Sequence, residues 1–531
     1  MTIFQRIAEA VRRWWSRLIP YKDIAAAERI RTPIAPEMIR ALSLWSELYH
    51  DRAPWKEPGK VKSLNLCAMA ASEIARQVVL EMKVTVDAGG EDAEGLPTVN
   101  ARSEYLKGAF AGLLDVLRQK LELGCAAGGM IVKPCPDPAT GRIWFDFAPD
   151  WSLYPLAFDG AGNLSDVIIP DVFRDGDAIY TRLERHTLVG MSAERSEAEP
   201  ASAGAQRQDA GSSRSAAPKG QDSRDPQGIA RARGDVVITQ RAFRSTHEDA
   251  LGVEVPLASV DRWAALEPEV TVTGAGGMLF GWYKVAAANT VDADCALGAS
   301  VFAKAVEVAK EVDLQYSRLL WEFEGGELAV DVDPTALYEK SDGKGNKLPK
   351  LNERLFRAVD TGAESTYEVF APTLRDVSLV NGLNQLLIRF EDLCGLSRGT
   401  FSDANVDART ATELKIVKQR SYATVADNQK ALEKCLRDVL RAMDVYATLY
   451  GLAPAGEWAA SFEWDDSILT DVDAQLQQRL LLVNSGVMSK AELRQWYLGE
   501  TEAQAEAAVA KIRNEGAKVE GDGDDAFCKR E

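Results

Sequence analysis

The chain reads as α+β and helix-rich, and three stretches of it say so. Residues 410–450 carry an amphipathic pattern with no proline or glycine until Gly451. Residues 129–242 hold short apolar segments bounded by turn residues, the pattern of strands joined by turns. Between two further helical patterns, residues 327–370 contain the strand-like ELAVDV and YEVFAP around a Gly/Lys turn.

Taken in order, residues 3–19 place Ile3, Phe4, Ile7, Val11, Trp14, Trp15 and Leu18 on one face and Arg6, Arg12, Arg13 and Arg17 largely on the other. Such a basic amphipathic helix can lie on a membrane or an acidic partner, or pack as a terminal helix on its own subunit or a neighbour. Pro20, Pro33 and Pro36 then break the chain, and a helix is expected from Pro36 to Tyr49. Residues 62–82 read as helix and 83–87 as strand. Ser103–Leu123 reads as a helix with Leu106, Phe110, Leu113, Leu114, Leu117 and Leu121 inward and Gly124 as its stop. Strands are expected at 129–133 and 142–148, joined by PDPATG, then at 164–169, 179–189 and 235–242.

Between the last two strands, residues 191–234 contain no aromatic, and Met191 and Ile229 are their sole large apolar side chains. Such a segment cannot bury enough surface to offset its ordering entropy, so 190–234 is expected to be a disordered insert at a hairpin tip. From Asp292 to Phe323 a long helix is expected, closed by Gly325-Gly326, and Val377–Cys394 reads as another. The polar loop LSRGTFSDANVDAR (396–409) follows. Thr410 and Glu413 then form a capping box, the Thr410 hydroxyl accepting from the Glu413 N–H while the Glu413 side chain accepts from the Thr410 N–H. The helix it opens keeps Leu414, Val417, Tyr422, Val425, Leu432, Leu436, Val439, Leu440 and Met443 on one stripe and would span about 60 Å. Helices are expected at 471–484, 489–496 and 501–514, before an acidic tail.

With 531 residues, 46% of them hydrophobic and 27% charged, the chain can bury a large multi-part core. No apolar run approaches the ~18 residues of a membrane span, so no stable membrane insertion is expected, and charges interrupt any signal-peptide pattern. Seven scattered cysteines without a CxxC pair suggest reduced thiols in a cytosolic compartment. A net charge of −18 argues against tight wrapping of nucleic acid. It leaves room for DNA that passes without being held, or for a local basic ring.

The chemistry-bearing motifs are missing. There is no P-loop, HExxH, zinc spacing of cysteines or GxSxG elbow. Gly274-Ala275-Gly276-Gly277 reads as a turn, and His186 as an edge or packing residue. Asp465, Asp466, Asp471 and Asp473 could hold a hard cation, though helix capping explains them more simply. The expectation is a non-enzyme with no catalytic residue, metal or cofactor.

In order, GCAAGGMIVKPCPD (124–137), YPLAFDGAGNLSDVII (154–169), YTRLERHTL (180–188), LFGWYKVAAANTVDADCALGASVFAKAV (279–306), TATEL (410–414) and the segments DDSILTDVDAQ, VNSGVMSKAELRQWYLGE and KIRNEG within 465–516 resemble the portal proteins of tailed phages of Gram-positive bacteria. The likeness runs colinearly from about residue 20 to 516; the insert 191–234 departs from it. The resemblance implies an elongated portal-type subunit with an N-terminal helix and linker at 1–29 and a wing at 30–291. It places stem helices at 292–326 and 371–395 around a clip at 327–370. A tunnel loop would occupy 396–409, a long wing helix 410–451, a crown 452–516 and a flexible tail 517–531. It further implies a homo-oligomeric ring, usually of twelve, at the capsid vertex of the virion, assembled in the host cytoplasm. Double-stranded DNA would pass transiently through it during packaging and ejection, without sequence specificity. The partners implied are the terminase large subunit, a head–tail adaptor, and the major capsid and scaffolding proteins. Arg398, Ser402, Asp403, Asn405, Asp407 and Arg409 would face DNA. A second reading, a peripheral membrane or capsid-associated scaffold, rests on the helix at 3–19.

Overall fold

The structure is a computed structural model that describes residues 21–28, 33–80, 82–90, 98–189, 234–247, 250–332, 356–358, 367–403, 411–464, 472–498, 500–502 and 504–512. The chain divides into two compact units, Met1–Glu463 and Trp464–Glu531. The basic helix at 3–19 and the insert 190–233 lie outside the described residues.

The first unit begins with three helices, α1 (Tyr21–Glu28), α2 (Pro36–Tyr49) and α3 (Leu66–Val79), followed by strand β1 (Met82–Asp87) and helix α4 (Ala101–Ala127). Pro36 starts α2 where its missing N–H costs nothing, and Met38, Leu42, Trp45 and Leu48 are buried along one face. Helix α4 opens with a reciprocal cap, Ser103 N donating to Asn100 Oδ1 (2.9 Å) and Asn100 N to Ser103 Oγ (3.0 Å). Its end corrects the expected stop at Gly124. The helix continues to Ala127 and breaks at Gly128, whose φ is +92°. Gly124 is small for another reason: a Cβ there would sit 3.1 Å from both Met130 and Tyr283. It marks close packing, not a terminus.

Strands β2 (Gly129–Asp137) and β3 (Arg142–Pro149) form an antiparallel three-stranded sheet with β10 (Gly281–Lys284). A second, six-stranded sheet runs β4 (Tyr154–Phe158), β5 (Leu164–Asp175), β6 (Ala178–Leu188), β7 (Val236–Ser245), β8 (Val253–Val255), with β9 (Glu269–Val272) also on β7. Strands β6 and β7 pair from Leu188↔Val236 to Ile179↔Ser245, so the residues around the insert are the two ends of one hairpin. Ile131, Ala148, Leu153, Leu164, Val167, Ile169, Met278 and Phe280 form a shared core cluster.

The helix expected from Asp292 is a second correction: helix α5 spans Val306–Gly325. The residues before it are held in turns by their own side chains. Asn289 Oδ1 accepts from Val291 N (3.0 Å) and Asp292 N (3.1 Å), and Asp292 Oδ1 from Asp294 N (3.2 Å). Such local bonds compete with a helical ladder. Gly298 also lies against the Gly128 backbone with no space for a Cβ. Apolar spacing over this stretch therefore reflects burial in an irregular plug.

After α5, strands β11 (Ala329–Val332), β12 (Phe356–Ala358) and β13 (Tyr367–Phe370) make a small mixed sheet with β11 central, parallel to β12 and antiparallel to β13. Strand β12 was not legible in the sequence. Helix α6 (Asp376–Cys394) returns along α5, and the pair is clamped at its sheet end by Glu322. That carboxylate accepts from Arg375 N (3.0 Å), Nε (3.1 Å) and Nη2 (2.6 Å).

Helix α7 (Ala411–Leu449) runs for 39 residues. Leu432, Leu436, Val439, Leu440 and Met443, all on the expected stripe, are fully buried, and the helix packs on β10 and β2. Two polar anchors fix it. Asn428 Oδ1 accepts from Tyr283 Oη (2.8 Å) and Ala286 N (3.2 Å), and the buried Arg102 donates to Thr448 Oγ1 (2.9 Å). Strand β14 (Ala459–Trp464) then pairs with β1.

The second unit contains α8 (Val472–Asn484) and α9 (Lys490–Leu498). A Ser489–Glu492 capping box opens α9 (2.7 and 3.0 Å), and the Arg479 guanidinium stacks over Trp496, 4.3 Å from the ring centroid.

Candidate functional site

The loop between α6 and α7 is the candidate site, and the residues that shape it lie mostly in the helix before it. Gly395, at φ +72°, ends α6. Its conformation also brings the chain under α7, where Thr424 Oγ1 donates to Gly395 O (3.1 Å). One turn earlier, Glu391 is completely buried. Its Oε1 accepts from Phe401 N (2.5 Å) and Ser402 N (2.7 Å), and its Oε2 from Ser402 Oγ (2.7 Å) and Gly399 N (3.2 Å). A single carboxylate thus gathers four donors and curls residues 399–402 around itself. The charge-assisted bonds offset the burial of the anion.

Asn384 makes the next tie. Its Oδ1 accepts from Asp403 N (2.7 Å) and its Nδ2 donates to Asp403 O (3.3 Å), leaving the exposed Asp403 carboxylate outside the turn. The Arg398 guanidinium, 58% exposed as a side chain, donates to the less exposed Asp392 at 3.0 and 3.3 Å. Bonding to Asp392 holds Arg398 above its ordinary value.

Of the residues expected to face DNA, Arg398 and Asp403 are on the outside of the loop, each with its partner on α6. Ser402 is turned inward, 8% exposed, and its hydroxyl is spent on Glu391; its geometry is that of a residue holding the turn. Asn405, Asp407, Arg409 and Thr410 lie outside the described residues, as does the side chain of Glu413. Glu391, Asp392 and Asn384 were missed. A signal existed for two of them: Glu391-Asp392 puts two carboxylates at a helix C-terminus, where the macrodipole disfavours them.

His186 is not on an edge: β6 is interior to its sheet. The ring is fully buried, 2.7 Å from Glu184 and edge-on to Phe280. Gly274 and Gly276 take positive φ in a turn after β9. Among the described residues no group of three or more His, Cys, Asp or Glu could hold a metal ion. Asp465, Asp466 and Asp471, and the side chain of Asp473, lie outside the described residues. No helix among the described residues is long and apolar enough to cross a membrane.

Comparison with known families decides the assignment. The family model described as phage portal protein, SPP1 Gp6-like, matches residues 243–520. The chain belongs to the phage portal protein family. The match takes in α5, the small sheet, α6, the loop, α7, α8 and α9. The portal-like stretches at 124–137, 154–169 and 180–188 fall outside it, so the resemblance read from about residue 20 is matched from residue 243 onward. No curated protein matches the chain. The portal protein family is a family of structural proteins.

Proposed function

We propose that this portal-family chain is the subunit of a ring, of about twelve copies, that forms the double-stranded DNA channel at the capsid vertex of a virion. The observation that carries the reading is the family match over one continuous device: an antiparallel helix pair capped by a small sheet, a stapled loop, and a 39-residue helix. In this reading α5 and α6 are the stem, the sheet at 327–370 is the clip that meets the terminase large subunit and later the head–tail adaptor, and the loop 396–409 faces DNA. The regions before and after are the wing and the crown, and the major capsid and scaffolding proteins are the surrounding partners.

Two physical features support it. Trp321, Phe323, Val369, Val377 and Val380 on the helix pair and its sheet, with Leu328 in the connection between them, are large apolar side chains that stand exposed. A cluster of this kind marks a surface that another protein covers, and a neighbouring copy would cover it in a ring. The outward groups of the loop include a cation already paired with Asp392 and a carboxylate. With the net charge of −18, these give DNA little to condense on, as sliding requires.

Negative-stain electron microscopy and native mass spectrometry of the purified chain test the proposal. Rings with a central hole are expected. Folded monomers that stay monomeric with scaffolding protein present would overturn it.

A further inference from the structure

A cavity of about 670 Å³ opens between α7, β10, the β4–β5 turn and the glycine turn at 276–277. Lys284, Lys434 and Arg441 stand on its wall with Asp159 and Asp438. The carboxylates make local hydrogen bonds but keep their charge, and both act on Lys434. Asp159 Oδ1 accepts from Ala161 N and Asn163 N (2.8 Å each), and Oδ2 from Asn163 Nδ2 (2.8 Å), closing its own turn. Asp438 takes Arg441 Nη2 at 3.1 Å, and the same nitrogen donates to Met278 O (3.2 Å).

That leaves two ammonium groups. Lys434 Nζ meets a neutral oxygen, Asn163 Oδ1, at 2.6 Å. Lys284 is half-buried and lies over the Trp282 ring, 5.8 Å from its centroid. Among the described residues neither forms an ion pair with a carboxylate. Burial pulls Lys284 below its ordinary value, and the nearby positive charge of Lys434 adds to that effect while Asp150 opposes it. The wall carries three cations, Lys284, Lys434 and Arg441, against two carboxylates, Asp159 and Asp438, a surplus of one positive charge that an anion would relieve.

We propose that this cavity is a binding site for a phosphate-bearing ligand, with Lys284 and Lys434 as its cationic contacts. Lysine ammoniums act as point charges and suit a tetrahedral oxyanion, whereas a planar carboxylate is gripped best by the fork of an arginine. The arginine present, Arg441, is already engaged. The volume exceeds what a bare phosphate fills and lies in the range of small-molecule pockets, so the phosphate arrives attached to a larger group, either a free phosphorylated metabolite or a nucleic-acid strand. The glycine turn belongs to the site: Arg441 Nη1 occupies the place a Cβ on Gly277 would take. Gly277 thus leaves room for the guanidinium beside the turn.

The test is isothermal titration of the full-length protein with inorganic phosphate, a mononucleotide, a short duplex oligonucleotide and poly-glutamate. Saturable binding of phosphate and mononucleotide, at one site per chain, is expected. Lys284→Ala and Lys434→Ala should each weaken it at least about 10-fold, while Lys107→Ala, an exposed residue of α4 that does not line the cavity, leaves it unchanged. Unchanged circular dichroism and melting in the variants separate lost binding from lost folding. Duplex competing for the mononucleotide site would assign the phosphate to a strand, and failure to compete would assign it to a free metabolite. Poly-glutamate binding in preference to phosphate, or no saturable phosphate binding, would overturn the proposal. Neither result depends on whether the chain forms rings.

Discussion

Glu391 is the residue whose loss should be felt most sharply at the candidate site. It accepts Gly399 N, Phe401 N, Ser402 N and Ser402 Oγ from a position with no solvent access. Glu391→Ala deletes the acceptor and leaves those donors facing an apolar gap. A buried unsatisfied donor costs about 1–3 kcal/mol, but the loop can swing some of them to water, so about 3–5 kcal/mol of local stability is the expected loss. Glu391→Gln keeps the shape. Its amide oxygen can retain two of the donors and its NH₂ can donate to Ser402 Oγ, while one position sets N–H against Gly399 N–H. About 1–2 kcal/mol is expected there. Because opening is local, the melting temperature should move little, and amide exchange over 396–403 is the proper assay. Each 1.4 kcal/mol corresponds to about tenfold faster exchange, which puts Gln near tenfold and Ala above a hundredfold. The order Ala > Gln > wild type, confined to this loop, is the signature. Unchanged exchange at Phe401 and Ser402 in Glu391→Ala would refute the assignment of Glu391 as the loop's organiser.

Gly128→Ala adds a Cβ at φ +92° within 2.5 Å of the Gly298 carbonyl and should cost at least about 2 kcal/mol in urea titration. Glu322 is held down to about 2 by hydrogen bonds from the Arg375 side chain and backbone. Its contribution to the α5–α6 clamp is therefore fully present above about 4.5 and is lost as pH falls toward about 2. Limited proteolysis of wild type and Glu322→Gln should differ at neutral pH and converge in acid. Asp150 carries the opposite sign: burial pushes it up to about 7, and its Oδ2 has no hydrogen-bond partner. The folded state then holds a proton that the unfolded chain has released, so stability should fall between pH about 4 and about 7. Asp150→Asn, compared by chemical denaturation across that window, should flatten the slope.

What the sequence made legible was periodic. The stripe through Leu432, Leu436, Val439, Leu440 and Met443 is visible because one face of α7 is buried against sheet, and a 3.6-residue period survives in the letters. Strands β6 and β7 were legible as short apolar segments bounded by turn residues. The misreadings share a different cause. Residues 292–305 carry apolar side chains at helical spacing, but their backbone is claimed by Asn289 and Asp292 and by the close approach at Gly298. Burial without regular structure imitates a helix in sequence. Gly124 misled likewise: a glycine near a helix end suggests a cap, and a packing glycine leaves the same letter. Strand β12 is three residues long, too short for an alternation to register.

The site was half legible, and the division follows which residues act at a distance. Polar loop residues advertise themselves, so the sequence pointed to 396–409, of which the structure describes 396–403. The groups that give the loop its form sit in a helix and look like helix. Glu391 and Asn384 reach it across separations of 8 to 19 residues, which periodicity does not encode. Glu391 leaves one trace, a local inconsistency: it and Asp392 are adjacent carboxylates where the helix dipole prefers cations. Such violations of local preference are expected where the fold needs a side chain for something other than its own helix. Ser402 shows the converse. A serine in a polar loop reads as outward-facing, but Glu391 draws it in. The outward chemistry of the described loop therefore reduces to Arg398 and Asp403, one paired cation and one carboxylate on a rigid turn. In the proposed channel, a nearly neutral contact would give a passing duplex few phosphate contacts to grip.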